Sequence, residues 1–415
     1  MKPDVAIVIV GAGHAGVRAA HTLRAEGWMG KLILLCAEPD MPYERPPLSK
    51  TVLLNEKSME ECRLFDLTWY RDNEIDLRLG ATASQIRRAE QTVVLDDGSS
   101  IQYHRLLLAT GAAARRLLIP GATLPGVQYL RSGADALCLK ERFGTPKRVV
   151  VIGGGFIGLE VAASAISRGC EVTVIELGQR LLQRAVPAPV ATRLEAKHRD
   201  AGVDLRLGTG VDEIVGREQV EAVVLANGER VECDIVVVGV GAVPRVELAE
   251  AAGLDIENGI VVDETLRTSD PAIFAAGDAV SFPHRHFGRR IRLESWKNAE
   301  DQGAIVARNM LGKSETYSEV PWFWSDQYNL TIQVAGIPAL GTTVVQREVS
   351  ADATLYFDLD ADGVIVGASG VGTGTAVGRD IRIAQMLIAR RACPAPERLA
   401  DPTCKLKLLL QMEAA

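Results

Sequence analysis

The chain begins with an apolar run, Val5 to Val10, that meets Gly11-Ala12-Gly13-His14-Ala15-Gly16; an alanine-rich stretch to about Glu26 and a second apolar run, Leu32 to Leu35, follow. A continuous apolar run closed by glycine suits a strand buried on both faces, and the stretch behind it suits a helix, so this segment predicts a βαβ unit. The pattern returns at Arg148 to Ile152, then Gly153-Gly154-Gly155-Phe156-Ile157-Gly158, a helix to about Arg168 and a strand over Glu171 to Ile175. Copies so far apart read as two similar domains rather than as a short solenoid repeat. Ile101 to Leu108 predicts a strand ending at Ala109-Thr110-Gly111, and Asp234 to Val238 predicts its counterpart ending at Gly239-Val240-Gly241. Each glycine end lets the backbone approach a ligand closely.

Beyond Pro321 the pattern changes. Short alternating segments with turn residues, such as Asp360-Ala361-Asp362-Gly363, run from about Thr331 to Ala368 and predict antiparallel hairpins, with a helix near Arg379 to Arg390. The expected fold class is α/β, with two Rossmann-type dinucleotide-binding domains and a small α+β C-terminal domain. The expected boundaries are 1–112 with 245–320, 113–244, and 321–415.

Composition narrows the reading. At 415 residues the chain exceeds what one core serves, and 47% hydrophobic residues with 39 glycines and few aromatics suit parallel α/β units. A net charge of -7 argues against nucleic acid as a partner. Without an apolar run of membrane-spanning length or a signal pattern after Met1-Lys2-Pro3-Asp4, the expectation is a cytoplasmic chain with no membrane partner. Cys36, Cys62, Cys138, Cys170, Cys233, Cys393 and Cys404 form no CxxC pair and no metal-ligand spacing, so no metal is expected.

Both GxGxxG segments follow an apolar strand and open a helix. There the first glycine permits a tight turn, the second admits a pyrophosphate, and the third lets helix and strand pack closely. The helix N-terminus adds free N–H groups and a positive dipole end. An acid closing the second strand should bind the adenosine ribose. Glu176 suits this role after Val172-Thr173-Val174-Ile175, and its charge favours NADH over NADPH, a preference that Arg180 and Arg184 weaken. In the first unit the candidate is Glu38, either a ribose ligand or a solvated loop carboxylate.

Tyr43-Glu44-Arg45-Pro46-Pro47-Leu48-Ser49-Lys50 and Ile273-Phe274-Ala275-Ala276-Gly277-Asp278-Ala279-Val280 carry a resemblance. With ATG at Ala109, GGGFIGLE at Gly153, ESWKNAEDQG at Glu294 and PWFWSDQY at Pro321, the whole chain resembles the ferredoxin reductases of bacterial oxygenase systems, the group of putidaredoxin reductase and biphenyl dioxygenase ferredoxin reductase. The resemblance implies a glutathione-reductase-like arrangement, with FAD on 1–112 and 245–320 and NADH on 113–244. It implies that Gly11, Gly13, Ala15 and Gly16 cradle the FAD pyrophosphate and that Arg45 and Lys50 approach the pyrophosphate and flavin ring. Ala83, Thr110, Gly111, Arg131, Gly277, Asp278 and Trp296 join the FAD set, Asp278 bonding the ribityl chain or phosphate. Gly153, Gly155, Ile157, Gly158, Glu160, Glu176 and Gly241 form the NADH set. One departure stands out: the family's FAD ribose acid falls at Ala37, so Glu38 would serve from one position later.

The resemblance also pairs Lys50 with Glu160, at the start of the helix after Gly158, placing a positive charge near the flavin N5; the alternative is an ordinary surface Lys and Glu. Trp296, Trp322 and Trp324 are three of the five tryptophans and either fill an interdomain core, border the flavin and the electron exit, or do both. The implied activity takes electrons from NADH through FAD to a [2Fe–2S] ferredoxin that supplies a Rieske dioxygenase or a haem monooxygenase, in a monomer or homodimer.

An acidic ferredoxin needs a locally basic dock. Arg285, Arg289, Arg290 and Arg292 form one candidate. Arg379, Arg382, Arg390, Arg391, Arg398, Lys405 and Lys407, against Asp380, Glu397 and Asp401, form the other; a solvated face is the alternative for both. Three rivals remain: a disulfide reductase, for which Pro46 to Lys50 holds no cysteine; an NADH oxidase or peroxide reductase, whose redox cysteine Cys36 and Cys62 do not supply; and a redox-sensing flavoprotein of the apoptosis-inducing type.

Overall fold

The structure is a computed structural model that describes residues 6–143 and 147–411; Val5 and residues 1–4, which belonged to the expected first strand and its lead-in, lie outside the described residues. In chain order the elements that position the candidate site begin with β1 (Ala6–Val10), α1 (His14–Ala25), β2 (Lys31–Cys36) and β3 (Arg105–Leu108). There follow β4 (Arg148–Ile152), α2 (Phe156–Ser167), β5 (Glu171–Glu176), α3 (Ala188–Asp200), β6 (Ile235–Val238), α4 (Trp296–Met310), β7 (Trp322–Gln327) and β8 (Leu330–Gly336).

The chain divides into two compact units, Met1–Glu44 with Met59–Ala113 and Val243–Glu319, and Arg45–Ser58 with Ala114–Ala242 and Val320–Ala415. The segment 45–58, read from the sequence as part of the first FAD segment, thus groups with the second unit. In the first unit every residue of β1 is buried, as expected of a strand covered on both faces. Its parallel sheet runs Ile273–Ala275, β3, β1, β2, Ile75–Leu79. Helix α1 lays Ala15, Val17, Ala19, Ala20 and Leu23 inward, and α4 approaches so closely that a Cβ on Gly303 would stand 2.6 Å from the Ala15 carbonyl oxygen.

The second unit repeats this order as Asp204–Leu207, β5, β4, β6, Val127–Tyr129, all parallel. The registers can be matched: Val10 faces Leu35 and Gly11 N donates to Leu35 O, as Ile152 faces Ile175 and Gly153 N donates to Ile175 O. The residue that corresponds to Glu176 is therefore Cys36. The unit also holds a five-stranded antiparallel sheet, β7, β8, Ile365–Thr373, Ala353–Leu359 and Thr343–Ser350, with the helix Gly378–Ala389.

The expected strand from Ile101 to Leu108 is two strands. Ser100–Gln102 belongs to an antiparallel sheet with Ala83–Arg87 and Thr92–Leu95, whereas β3 belongs to the parallel one. Tyr103 N donates to Gln91 O and His104 N to Ala6 O, so the chain changes sheets within two residues. An unbroken β pattern cannot reveal a change of partner.

Among the described residues no helix is long and apolar enough to cross a membrane, and no cluster of His, Cys, Asp and Glu could hold a metal ion.

Candidate functional site

The first glycine turn is shaped by contact distances. A Cβ on Gly11, at φ +107, would stand 2.2 Å from Ala109 O, and one on Gly16 would stand 1.9 Å from Gly11 O, so backbone occupies both places. Around Gly13, the N-cap of α1, a Cβ would meet nothing within 4 Å. Two glycines are demanded by packing, and the middle one leaves open room before a helix N-terminus, which is the room a pyrophosphate needs. Gly277, at φ +86, gives its N–H to Gln302 Oε1 at 2.8 Å, and a Cβ there would stand 3.2 Å from that of Ala15, which ties the Gly277–Asp278 turn to α1. Thr110 Oγ1 donates to Arg245 O at 2.7 Å, Gly111 sits at φ +68, and Ala83 starts a strand of the antiparallel sheet. The open room at Gly13 before the N-terminus of α1 fits a dinucleotide phosphate. Ala37 is exposed and carries no acid, while the carboxylate of Glu38 accepts the Tyr43 hydroxyl.

The second turn repeats the contacts: a Cβ on Gly153 would stand 2.4 Å from Gly239 O, one on Gly158 would stand 2.3 Å from Gly153 O, and one on Gly155 would meet nothing closer than 4.0 Å. Gly155 caps α2, so the helix starts at Phe156 and not after Gly158; Glu160 lies in its second turn. Gly241 stands open at φ +103, and Ile157 keeps an apolar side chain 49% exposed beside the cap. Glu176 does more than end β5: its Oε2 accepts from Gly154 N and its Oε1 from Gly178 N, both at 2.6 Å. The carboxylate thereby braces the loop next to the open room.

Around Glu160 the second unit gathers a polar cluster. Lys50 Nζ lies 2.9 Å from Oε1, with the Glu160 side chain 7% and the Lys50 side chain 18% exposed. The Ser49 hydroxyl donates to Oε2, and Ser325 Oγ, on β7, donates to Oε1 at 2.6 Å. Ser164 Oγ in turn donates to Ser49 O at 2.8 Å, pinning the turn Pro46–Ser49 to α2. A carboxylate with this many donors, one of them cationic, meets the cost of its burial by pairing. Lys50 also stands 5.9 Å from the centre of the Trp324 ring. Arg45 Nη1 donates to Arg131 O at 2.5 Å, so these two predicted FAD residues meet in the second unit.

The three tryptophans divide between the units. Trp296 opens α4 in the first, edge-on to His14 at 6.1 Å. Trp322 and Trp324 share one face of β7 in the second, stacked at 5.3 Å. The basic stretches divide too. Arg285, Arg289, Arg390 and Arg391 are exposed. Arg290 is spent on the carbonyls of Val262 and Ser281, and Arg292 pairs with Glu294 at 2.5 Å, so of the first candidate stretch Arg285 and Arg289 are the exposed arginines.

The sequence did not point to Ser49, Ser164 or Ser325. Ser49 stands beside Lys50 in the stretch Tyr43 to Lys50, and Ser325 within PWFWSDQY, but a lone serine carries no signal of a partner 165 residues away. Burial pushes the thiol of Cys233 up to about 12 and that of Cys170 upward as well, so neither is poised to react.

The family described as Pyridine nucleotide-disulphide oxidoreductase matches residues 5–303, and that described as Reductase C-terminal matches 322–410. The chain is 44% identical over 404 residues to the Anthranilate 1,2-dioxygenase system ferredoxin--NAD(+) reductase component of Burkholderia cepacia, covering 97% of this chain and 98% of that protein. It is 37% identical over 419 residues to Putidaredoxin reductase CamA of Pseudomonas putida, covering 99% and 98%. The crystal structure of the ferredoxin reductase for the CYP199A2 system from Rhodopseudomonas palustris superposes with a TM-score of 0.94 at 37% identity, covering 99% of this chain and 100% of that one. With two glycine cradles of one design and matches of this extent, the chain belongs to the pyridine nucleotide-disulphide oxidoreductase family and carries that family's nucleotide units together with a reductase C-terminal domain.

Proposed function

We propose that the protein is an NADH-dependent flavoprotein reductase that passes electrons through FAD to a [2Fe–2S] ferredoxin serving an oxygenase; one relative is named as the ferredoxin--NAD(+) reductase component of a dioxygenase system and another as a putidaredoxin reductase. The observation that carries the reading is the pair of cradles, each closed by backbone at its first and third glycines and open at its second. When bound, FAD supplies two-electron chemistry toward NADH and one-electron chemistry toward an iron–sulfur centre. The open room at Gly13 and Gly155 and the N-termini of α1 and α2 would hold the two pyrophosphates, and Glu176, already held by its loop, would accept the NADH ribose hydroxyls. Glu38 takes that part for FAD. Lys50, held by Glu160, presents a fixed positive charge to the flavin, and Trp296, Trp322 and Trp324 supply aromatic surface.

Where a disulfide reductase of this scaffold carries a reactive cysteine pair, this chain has Pro46–Ser49, with Ser49 engaged by Glu160. The dock for an acidic ferredoxin draws on the exposed Arg285 and Arg289 or on Arg390 and Arg391. The enzyme works in the cytoplasm as a monomer or homodimer. Anaerobic titration with NADH should bleach the yellow protein, and a [2Fe–2S] ferredoxin added next should be reduced. A colourless preparation that FAD does not reconstitute would overturn the reading.

A further inference from the structure

Glu160 stands at the end of a longer line of hydrogen bonds. Ser325 donates to its Oε1, and Gln327 Nε2, two residues along β7, donates to Ser325 Oγ at 3.1 Å. Gln327 Oε1 lies 2.8 Å from Nε2 of His198 on α3, and Nδ1 of His198 lies 3.0 Å from the Tyr328 hydroxyl. Ser325, Gln327 and His198 are all buried.

The donors fix a direction. A carboxylate only accepts, so the single hydroxyl proton of Ser325 points to Glu160; the amide oxygen of Gln327 only accepts, so His198 carries its proton on Nε2. Burial holds the His198 pKa below the ordinary histidine value, which leaves the ring neutral and Nδ1 bare to accept from Tyr328. Every proton in the line therefore points toward Glu160. An amide hands on orientation but gives up its own proton only with difficulty, so the line positions groups and does not conduct.

Tyr328 shows that the far end is held in place. It opens the two-residue turn between β7 and β8 at φ +56, a region that favours Gly or Asn and is unfavourable for an aromatic residue. His198 packs edge-on against its ring at 5.1 Å, and the Lys197 ammonium stands 5.8 Å from the ring centre.

We propose that Ser325, Gln327, His198 and Tyr328 are positioning residues that set the orientation of the Glu160 carboxylate, and through it of the Lys50 ammonium, from a hairpin turn at the other end of the line. The proposal rests on the reading of the Lys50–Glu160 pair given above.

The test follows NADH-driven flavin bleaching by stopped flow in the full-length FAD-loaded protein. Lys50→Met should slow bleaching at least about tenfold, Gln327→Leu about threefold to tenfold and Tyr328→Phe about twofold. Ser325→Thr, which keeps the hydroxyl, should slow bleaching less than Ser325→Ala, which removes it. In the Lys50→Met background Gln327→Leu should add nothing, because its effect passes through that ammonium. The ring ¹⁵N shifts of His198 at neutral pH should show a protonated Nε2 and a bare Nδ1. Wild-type rates in Gln327→Leu and Tyr328→Phe beside a slow Lys50→Met would overturn the proposal and leave the pair's reading intact. So would an Nδ1–H tautomer, or a Gln327→Leu effect of full size in the double variant. A wild-type rate in Lys50→Met itself would sink the reading of the pair, and the proposal with it. Should Gln327→Leu fail to fold, Tyr328→Phe at the partly exposed end carries the test.

Discussion

The two glycine turns share their three glycines, and one pair of the positions at which they differ goes together. Where the second turn has Gly154 and Glu176, the first has Ala12 and, by register, Cys36. The Glu176 carboxylate folds back on Gly154 N, and a Cβ on Gly154 would stand 3.1 Å from Oε2 and 2.7 Å from a methyl carbon of Leu181. The first turn has no carboxylate at the corresponding place, and Ala12 is accommodated and buried there. Acid and glycine come together, as do their absences. The turn that carries its acid on the strand end uses it to brace its own loop; the other leaves its acid, Glu38, two residues beyond that place and tied to Tyr43.

The largest effects should come from what the turns share. Gly16→Ala and Gly158→Ala press a methyl group against a carbonyl oxygen at 1.9 and 2.3 Å, and each should cost more than about 3 kcal/mol in thermal unfolding. Gly13→Ala and Gly155→Ala point into open room. Their melting temperatures should stay within about 2 °C of the wild type, while FAD content falls in the first and the KM for NADH rises in the second, each at least about tenfold. A Gly16→Ala protein as stable as the wild type would break the comparison at its base.

Next come the positions that differ. Gly154→Ala should lose about 1–3 kcal/mol, whereas Ala12→Gly should lose less than about 1 kcal/mol. Glu176→Gln gives up a charged acceptor for one of two backbone N–H groups and should cost about 1–3 kcal/mol together with a raised KM for NADH. Glu38→Gln can still accept from Tyr43 and should cost less than about 1 kcal/mol. Equal losses in the last two would show that bracing by the acid is not peculiar to the second turn.

The smallest contrast lies at the opposite end of the strands. Arg148 and Asp234 form an ion pair at 3.1 Å in the second unit, and the matching Ala6 and His104 form none. Hydrogen bonding from Arg148 holds the Asp234 carboxyl below its ordinary value. A depressed carboxyl contributes stability above the unfolded-state pKa of about 4 and loses it as the pH falls through the folded value. Asp234→Asn should therefore cost about 0.5 kcal/mol at neutral pH, a figure kept small by the exposure of both partners, and should converge with the wild type in acid.

The βαβ units, their order and the packing demand at the first and third glycines of each turn were legible in the sequence because that demand arises within a few residues: Gly16 is excluded from a side chain by Gly11, five positions earlier in the same turn. The hairpins beyond Pro321 were legible from alternation for the same local reason. The pairing of Lys50 with Glu160 came from a resemblance, and its serines came from neither source. Alternation could not see the chain change sheets at Tyr103 and His104, nor charge counting see Arg290 turn to the carbonyls of Val262 and Ser281. What the sequence by itself determined is where backbone must pass too close for a Cβ. Only the tertiary structure decided which distant donors complete a buried carboxylate, because Ser49, Glu160 and Ser325 meet through the packing of three separate elements and no local rule links them.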